Sequence, residues 1–275
     1  MKQGILFDED IEYVNLTSFQ DAIRESYGIA AKQDKKSKEK SPEKIKPIHK
    51  YLSNKVLDYT NDLGTDGHGY GVDEKEKDIN GKRRDFYLIV FGEEGGIIFE
   101  YKANLTSINK NIGTALNEMV GDSFFAKEMG YPYIRCLLLP SASPILTDEG
   151  KIKGFESNKK YVKDISDKMQ KENFYKPDLI CIYFYEISNI NTEEWKGKSK
   201  KEFFEYVSTN GEINLPIFSE DNKAKNVIIN DEEKFLERVK EISVPKNLRE
   251  TQRKAKLLEK VTIMNSMEIE KLLKL

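Results

Sequence analysis

Three ionisable residues carry the chemistry this chain can offer: Asp85, Glu100 and Lys102. Residues 86–91 and 97–99 are apolar and rich in aromatic and β-branched side chains, with Gly92-Glu93-Glu94-Gly95-Gly96 between them. This pattern predicts a β-hairpin, because the glycines supply the positive φ angles a chain reversal needs. A hairpin sets the start of its first strand beside the end of its second, so Asp85 meets Glu100 and Lys102. Residues two apart on a strand share a face, so Glu100 and Lys102 project together. Charged groups at the end of an apolar strand must be solvated, paired or bound to a metal. Carboxylate oxygens suit Mg²⁺, which takes one or two protein carboxylates and completes its shell with water and phosphate oxygens. An ammonium beside them can position or deprotonate an attacking water, or neutralise charge on a phosphate. Together the three suit metal-assisted hydrolysis of a phosphodiester. The competing reading is a solvated cluster at a strand end. Asp78 rivals Asp85 as first ligand, but no continuous apolar run follows it.

Asp85, a hydrophobic strand and then Glu100-Tyr101-Lys102 resemble the signature of the PD-(D/E)XK nuclease superfamily, with Arg84 where the motif's proline would stand. The expected element order, αβββαβ(α)β, is similar to the core of that superfamily over about residues 72–187. It looks most like the EcoRI-type arrangement of type II restriction endonucleases. There too an E-x-K strand end leads to an Asn-bearing helical region and then to an aromatic–Pro–Tyr step, here Tyr131-Pro132-Tyr133. No Gln occurs between Lys102 and Met169, so the QxxxY element of RecB-type exonucleases is missing. The resemblance implies a Mg²⁺-dependent endonuclease cutting double-stranded DNA at a short site. Asp85 and Glu100 would hold the metal, helped by the Tyr101 carbonyl, and Lys102 would orient or activate the water. It also implies a homodimer, whose two-fold symmetry would match a palindromic site. The alternatives are a structure-selective repair nuclease of the same fold and a non-catalytic DNA-binding protein, since fold does not imply function.

Other elements must position this hairpin. Ser18 and Asp21 predict a capped helix to about Lys32. Residues 32–50 hold eight lysines against three acids and suggest a solvated linker, with a DNA-wrapping arm as the rival. Pro47 opens a helix to about Leu63, on which Asp58 is a candidate acid but more simply faces solvent. Residues 64–71, GTDGHGYG, have the composition of a flexible connection with His68 exposed. Asn80-Gly81 predicts a turn joining a charged strand, 72–79, to the strand after Asp85, which makes a three-stranded meander. Beyond Lys102, apolar residues at helical spacing from Ile108 to Met119 predict an amphipathic helix. Asn104, Asn109, Asn111 and Asn117 could read bases, since an amide side chain can bond adenine bidentately; ordinary surface amides explain them equally well.

YIRCLLL, residues 133–139, is a continuously apolar strand of the kind covered on both faces. Residues 141–158 have the composition of a long inserted loop. A helix over 161–174 and a strand over 177–187 follow. Trp195 among Lys196, Lys198, Lys200 and Lys201 suits either a nucleic-acid clamp or a structural anchor. STNGEINLP, from Ser208, offers a turn and a short strand. Amphipathic helices over 231–244 and 247–275 close the chain, the last a candidate for dimerisation.

The result is an α/β class with a mixed β-sheet flanked by helices. The resemblance implies one nuclease domain over 1–275, with helical regions at 1–71 and 188–275 around the core. Charged residues make up 33% and hydrophobic ones 38%, with a net charge of −2. That argues against indiscriminate coating of nucleic acid but leaves room for a local basic cleft. No apolar run approaches the length of a membrane helix, and the acidic N-terminus is unlike a signal peptide. Cys136 and Cys181 sit in apolar runs, as small core residues in a reducing compartment. A bacterial cytoplasm fits these features and the Lys-, Asn- and Ile-rich composition.

Overall fold

The computed structural model describes residues 18–33, 42–60, 66–69, 86–89, 96–105, 112–128, 130–171, 175–216 and 224–243. Its centre is a mixed sheet. Strands β1 (Asp66–Gly69), β2 (Phe86–Ile89) and β3 (Gly96–Ala103) form an antiparallel meander. β3 then pairs in parallel with β4 (Tyr133–Pro140), and β4 with β7 (Leu179–Ile187). On the far edge of β7, β9 (Val227–Ile229) adds in parallel and β8 (Ile213–Asn214) antiparallel. A separate hairpin is formed by β5 (Ala142–Leu146) and β6 (Ile152–Ser157).

Alternation along the strands divides the core into two layers. Ile97, Phe99 and Tyr101 of β3, Ile134, Cys136 and Leu138 of β4, and Cys181, Tyr183 and Tyr185 of β7 face one way. They pack against α1 (Phe19–Lys32), α2 (Lys46–Thr60), α5 (Lys200–Asn210) and α6 (Glu232–Ser243). Leu137 and Leu139 of β4 and Ile180, Ile182 and Phe184 of β7 face the other way, against α3 (Ile112–Glu128) and α4 (Lys159–Lys171). β4 is buried along its whole length, which is why it reads as an unbroken apolar run. Each large apolar side chain so buried contributes about 1.5–3 kcal/mol.

α1, α2, α3, α4 and α6 form near where expected, for local reasons, whereas α5 arises in a segment read only for Trp195 and its lysines. Ser18 caps α1 by accepting the Asp21 N–H at 3.2 Å. Phe19, Ala22, Ile23, Tyr27 and Ala31 then make one buried stripe. Gly28 lets α5 approach closely, since a Cβ there would meet the Ser208 hydroxyl at 2.7 Å. α2 carries Pro47 in its first turn, where a missing N–H is harmless, and ends at Thr60. Its outward Asp58 is exposed. α4 buries Tyr161, Val162, Ile165 and Met169. Cys136 and Cys181 are register partners in adjacent strands, both buried and neither in a disulfide.

Two segments differ from expectation. Residues 141–158 form a paired hairpin, not a loop, with a register shift at Ile145/Leu146 and a turn closed by Gly150 N–H bonding Thr147 O at 3.0 Å. Gly150 takes φ +76°, which glycine allows at little cost. Asn158 anchors the hairpin base: its fully buried amide donates to Pro140 O and to Ser143 Oγ, both at 2.7 Å. Within the Gly-rich connection, Asp66–Gly69 is a strand paired with β2, because ladder bonds need only backbone groups. The strand expected over 72–79, the Asn80-Gly81 turn and the helix over 247–275 lie outside the described residues. Among the described residues no helix is long and apolar enough to cross a membrane.

Candidate active site

The parallel strands β3, β4 and β7 point their carboxyl ends the same way, and such ends are where open α/β sheets present ligand sites. β3 reaches that end with a graded set of side chains on the α3 side. Ile98 is fully buried, Glu100 half-buried and Lys102 exposed. The two residues of the E-x-K spacing therefore do share a face, and the pair emerges from the core towards solvent.

The other carboxylate of the expected site, Asp85, lies outside the described residues. Its neighbours are informative. Phe86, which follows Asp85, pairs with Phe99, which precedes Glu100. Asp78 also lies outside the described residues.

The floor of the site is charged. Arg135, only 5% exposed, is the Cα partner of Glu100 in the adjacent strand. Its Nη1 donates to the Tyr133 hydroxyl at 3.1 Å and lies 3.7 Å from the Asp122 carboxylate of α3. Burial works against the guanidinium charge, but Tyr133, Glu100 and Asp122 outweigh it and hold the Arg135 pKa above its ordinary value. Burial raises the Tyr133 pKa, so its phenol stays protonated and neutral near neutrality. Arg135 thus remains charged beside Asp122, and a paired cation is one that burial tolerates.

Tyr101 points away from this face. Its hydroxyl is 3.2 Å from that of Ser53 on α2, and its ring lies 5.0 Å from that of His49. Only its backbone can serve the site. Asn104 extends the ladder, its N–H bonding Leu138 O at 3.1 Å. Asn117 is exposed and accepts a long 3.5 Å bond from Lys168 of α4. Asn109 and Asn111 lie outside the described residues.

The Trp195 segment belongs to the other layer. Trp195 is 8% exposed and packs edge-on against Phe203 at 5.3 Å and tilted against Tyr206 at 5.1 Å. Lys198 lies over its ring at 4.3 Å, and Lys196 pairs with Glu193 at 2.6 Å. The ring is used as an anchor for α5, which leaves little of it to stack on a base. Asp178, in the Pro-Asp dipeptide that leads into β7, ties two strands: its carboxylate accepts the Tyr133 N–H at 2.9 Å.

Two site residues were missed in the sequence, Arg135 and Asp122. The available signal was one arginine inside the apolar run YIRCLLL, which must find a partner once buried.

The donor chemistry fits a hard cation. Glu100 and Asp122 offer only oxygens, and Mg²⁺ commonly takes just one or two carboxylates. Among the described residues no group of three or more His, Cys, Asp or Glu converges, so further ligands would come from Asp85, backbone, water or phosphate. No family model, curated protein or solved structure matches the chain.

Proposed function

We propose that the chain is a Mg²⁺-dependent type II restriction endonuclease, hydrolysing phosphodiester bonds of duplex DNA at a short site as a homodimer. One observation carries this reading. Glu100 and Lys102 project from one face at the carboxyl end of β3, and the β2–β3 register brings the residue after Asp85 opposite the residue before Glu100. The expected order of helices and strands supports the same reading.

Glu100, Asp85 and the Tyr101 carbonyl would hold the metal. When bound, Mg²⁺ supplies Lewis acidity towards phosphate oxygens and lowers the pKa of a coordinated water. The chain's own parts do the positioning. Arg135 balances the charge of Glu100 from beneath, so a carboxylate is kept on an otherwise apolar strand. Lys102, exposed on the same face, offers three donors to orient the attacking water or to meet phosphate charge.

Plasmid digestion with the purified chain is the test. Discrete fragments in Mg²⁺ that are absent with chelator are expected; intact DNA under all conditions contradicts the reading. Light scattering should give a dimer mass with DNA bound, and a monomer both free and bound rules out the symmetric arrangement.

A further inference from the structure

We propose that Lys159, Lys160 and Lys163 of α4 form the surface that grips the phosphate backbone of duplex DNA alongside Glu100 and Lys102. The proposal rests on the nuclease reading above for the place of the scissile phosphate. The chain carries a net charge of −2, so its overall field does not draw DNA and any grip must be local. Residues 159–163, KKYVK, hold three lysines and no acid. Tyr161 and Val162 are buried, which leaves all three lysines on the exposed side of the helix.

Their position ties them to the site. α4 packs over Leu137 and Leu139 of β4, on the sheet face that also carries Glu100 and Lys102. Its start is fixed at the carboxyl end of that strand by Asn158. This fully buried residue donates its amide to Pro140 O at 2.7 Å and its backbone N–H to Ser141 O at 3.0 Å. Lys102 lies on the neighbouring strand, opposite Leu137. The lysines therefore stand at the same end and on the same face as the proposed site. They are also uncommitted. Among the described residues none of Lys102, Lys159, Lys160 and Lys163 is in an ion pair, although Asp164 and Asp167 follow on the same helix. Elsewhere Lys196 pairs with Glu193 and Lys201 with Glu205. Exposed ammonium groups without a protein counter-ion suit backbone phosphates, whose condensed counterions they displace.

The experiment follows the anisotropy of a labelled duplex with the full-length chain in Ca²⁺ over a range of salt. Wild type is compared with Lys159→Ala/Lys160→Ala/Lys163→Ala and with Lys171→Ala/Lys196→Ala/Lys201→Ala. The second variant loses the same charge at the other end of α4 and on the opposite layer. All the altered side chains are exposed, so both variants should fold. The first should lower the slope of log affinity against log salt by about two to three, since each phosphate contact contributes roughly 0.9. Its affinity at about 0.1 M salt should drop at least ~10-fold, and equally for two duplexes of unrelated sequence, because backbone contacts carry no sequence information. The second should stay within a few-fold of wild type. An unchanged slope in the first variant, an equal fall in the second, or a fall confined to one duplex sequence overturns the proposal. So does a wild type that binds no duplex at low salt. The two readings fail separately. A slope lost in a chain that cuts no plasmid keeps the surface and removes the nuclease. Cleavage by wild type with the slope unchanged in the first variant does the reverse.

Discussion

The two faces of the central sheet use polar groups in different ways. On the face covered by α1, α2, α5 and α6, hydroxyls satisfy one another inside an aromatic core. Tyr27 and Tyr185 meet at 3.0 Å, Ser53 and Tyr101 at 3.2 Å, and Phe19 stacks on Tyr183 at 4.8 Å. On the face covered by α3 and α4, the last strand of the meander carries Glu100 and Lys102, and the strand beside it carries a buried arginine paired with Asp122. Neutral hydroxyl pairs cost little to bury, whereas a buried ion cluster is weak evidence for stability because desolvation offsets its attraction. The first face holds the fold together. The second carries the charged groups of the proposed site.

The sharpest way to break this contrast is at the residues proposed to hold the metal. Glu100→Ala and Asp85→Ala should each reduce plasmid cleavage to assay background, with cooperative unfolding preserved. Near wild-type cutting by either variant would move the site elsewhere. Next in size is a truncation on the opposite face. Leu138→Ala removes a buried side chain from β4 and should cost about 2–5 kcal/mol in denaturant unfolding. Cleavage per folded molecule should be unchanged, and a selective loss of activity would blur the division of labour.

The smallest expected effect sharpens the description of the stabilising face. Burial raises the Glu25 pKa on α1, against a smaller opposing pull from Lys50. A carboxyl raised in the folded state favours folding below its ordinary value of 4.5, and that contribution is lost as pH rises through the folded value. Glu25→Gln should therefore raise the melting temperature slightly at pH 7, and the gain should vanish in acid. A gain of equal size at every pH would assign the effect to something other than ionisation.

Much of the frame was legible because periodicity and punctuation agreed. Ser18 and Asp21 marked α1, and the unbroken apolar runs marked β4 and β7. What was hidden depends on backbone pairing or on partners distant in sequence. The β5–β6 hairpin contains Pro144 and Gly154 and is rich in polar residues, so composition suggested a loop. Its ladder and the Asn158 anchor are visible only once strands are paired. The Glu100–Lys102 face followed from strand alternation. Arg135 did not stand out, because its charged partner, Asp122, comes from α3 and not from its own strand. Trp195 among lysines suited a clamp or an anchor equally, and the choice rests on Phe203 and Tyr206 of the helix that follows, which cover its ring.

The central claim is that Glu100 and Lys102 are parts of one hydrolytic site, and Lys102→Arg tests it most directly. The charge is kept, but a planar guanidinium replaces a compact ammonium and is effectively never deprotonated. Single-turnover cleavage in Mg²⁺ and gel-shift affinity in Ca²⁺ are measured on the same DNA. The account predicts a loss of cleavage of at least ~10²-fold, the lower range for positioned acid–base groups, with affinity retained. A Lys102→Arg protein that cuts within a few-fold of wild type would contradict it.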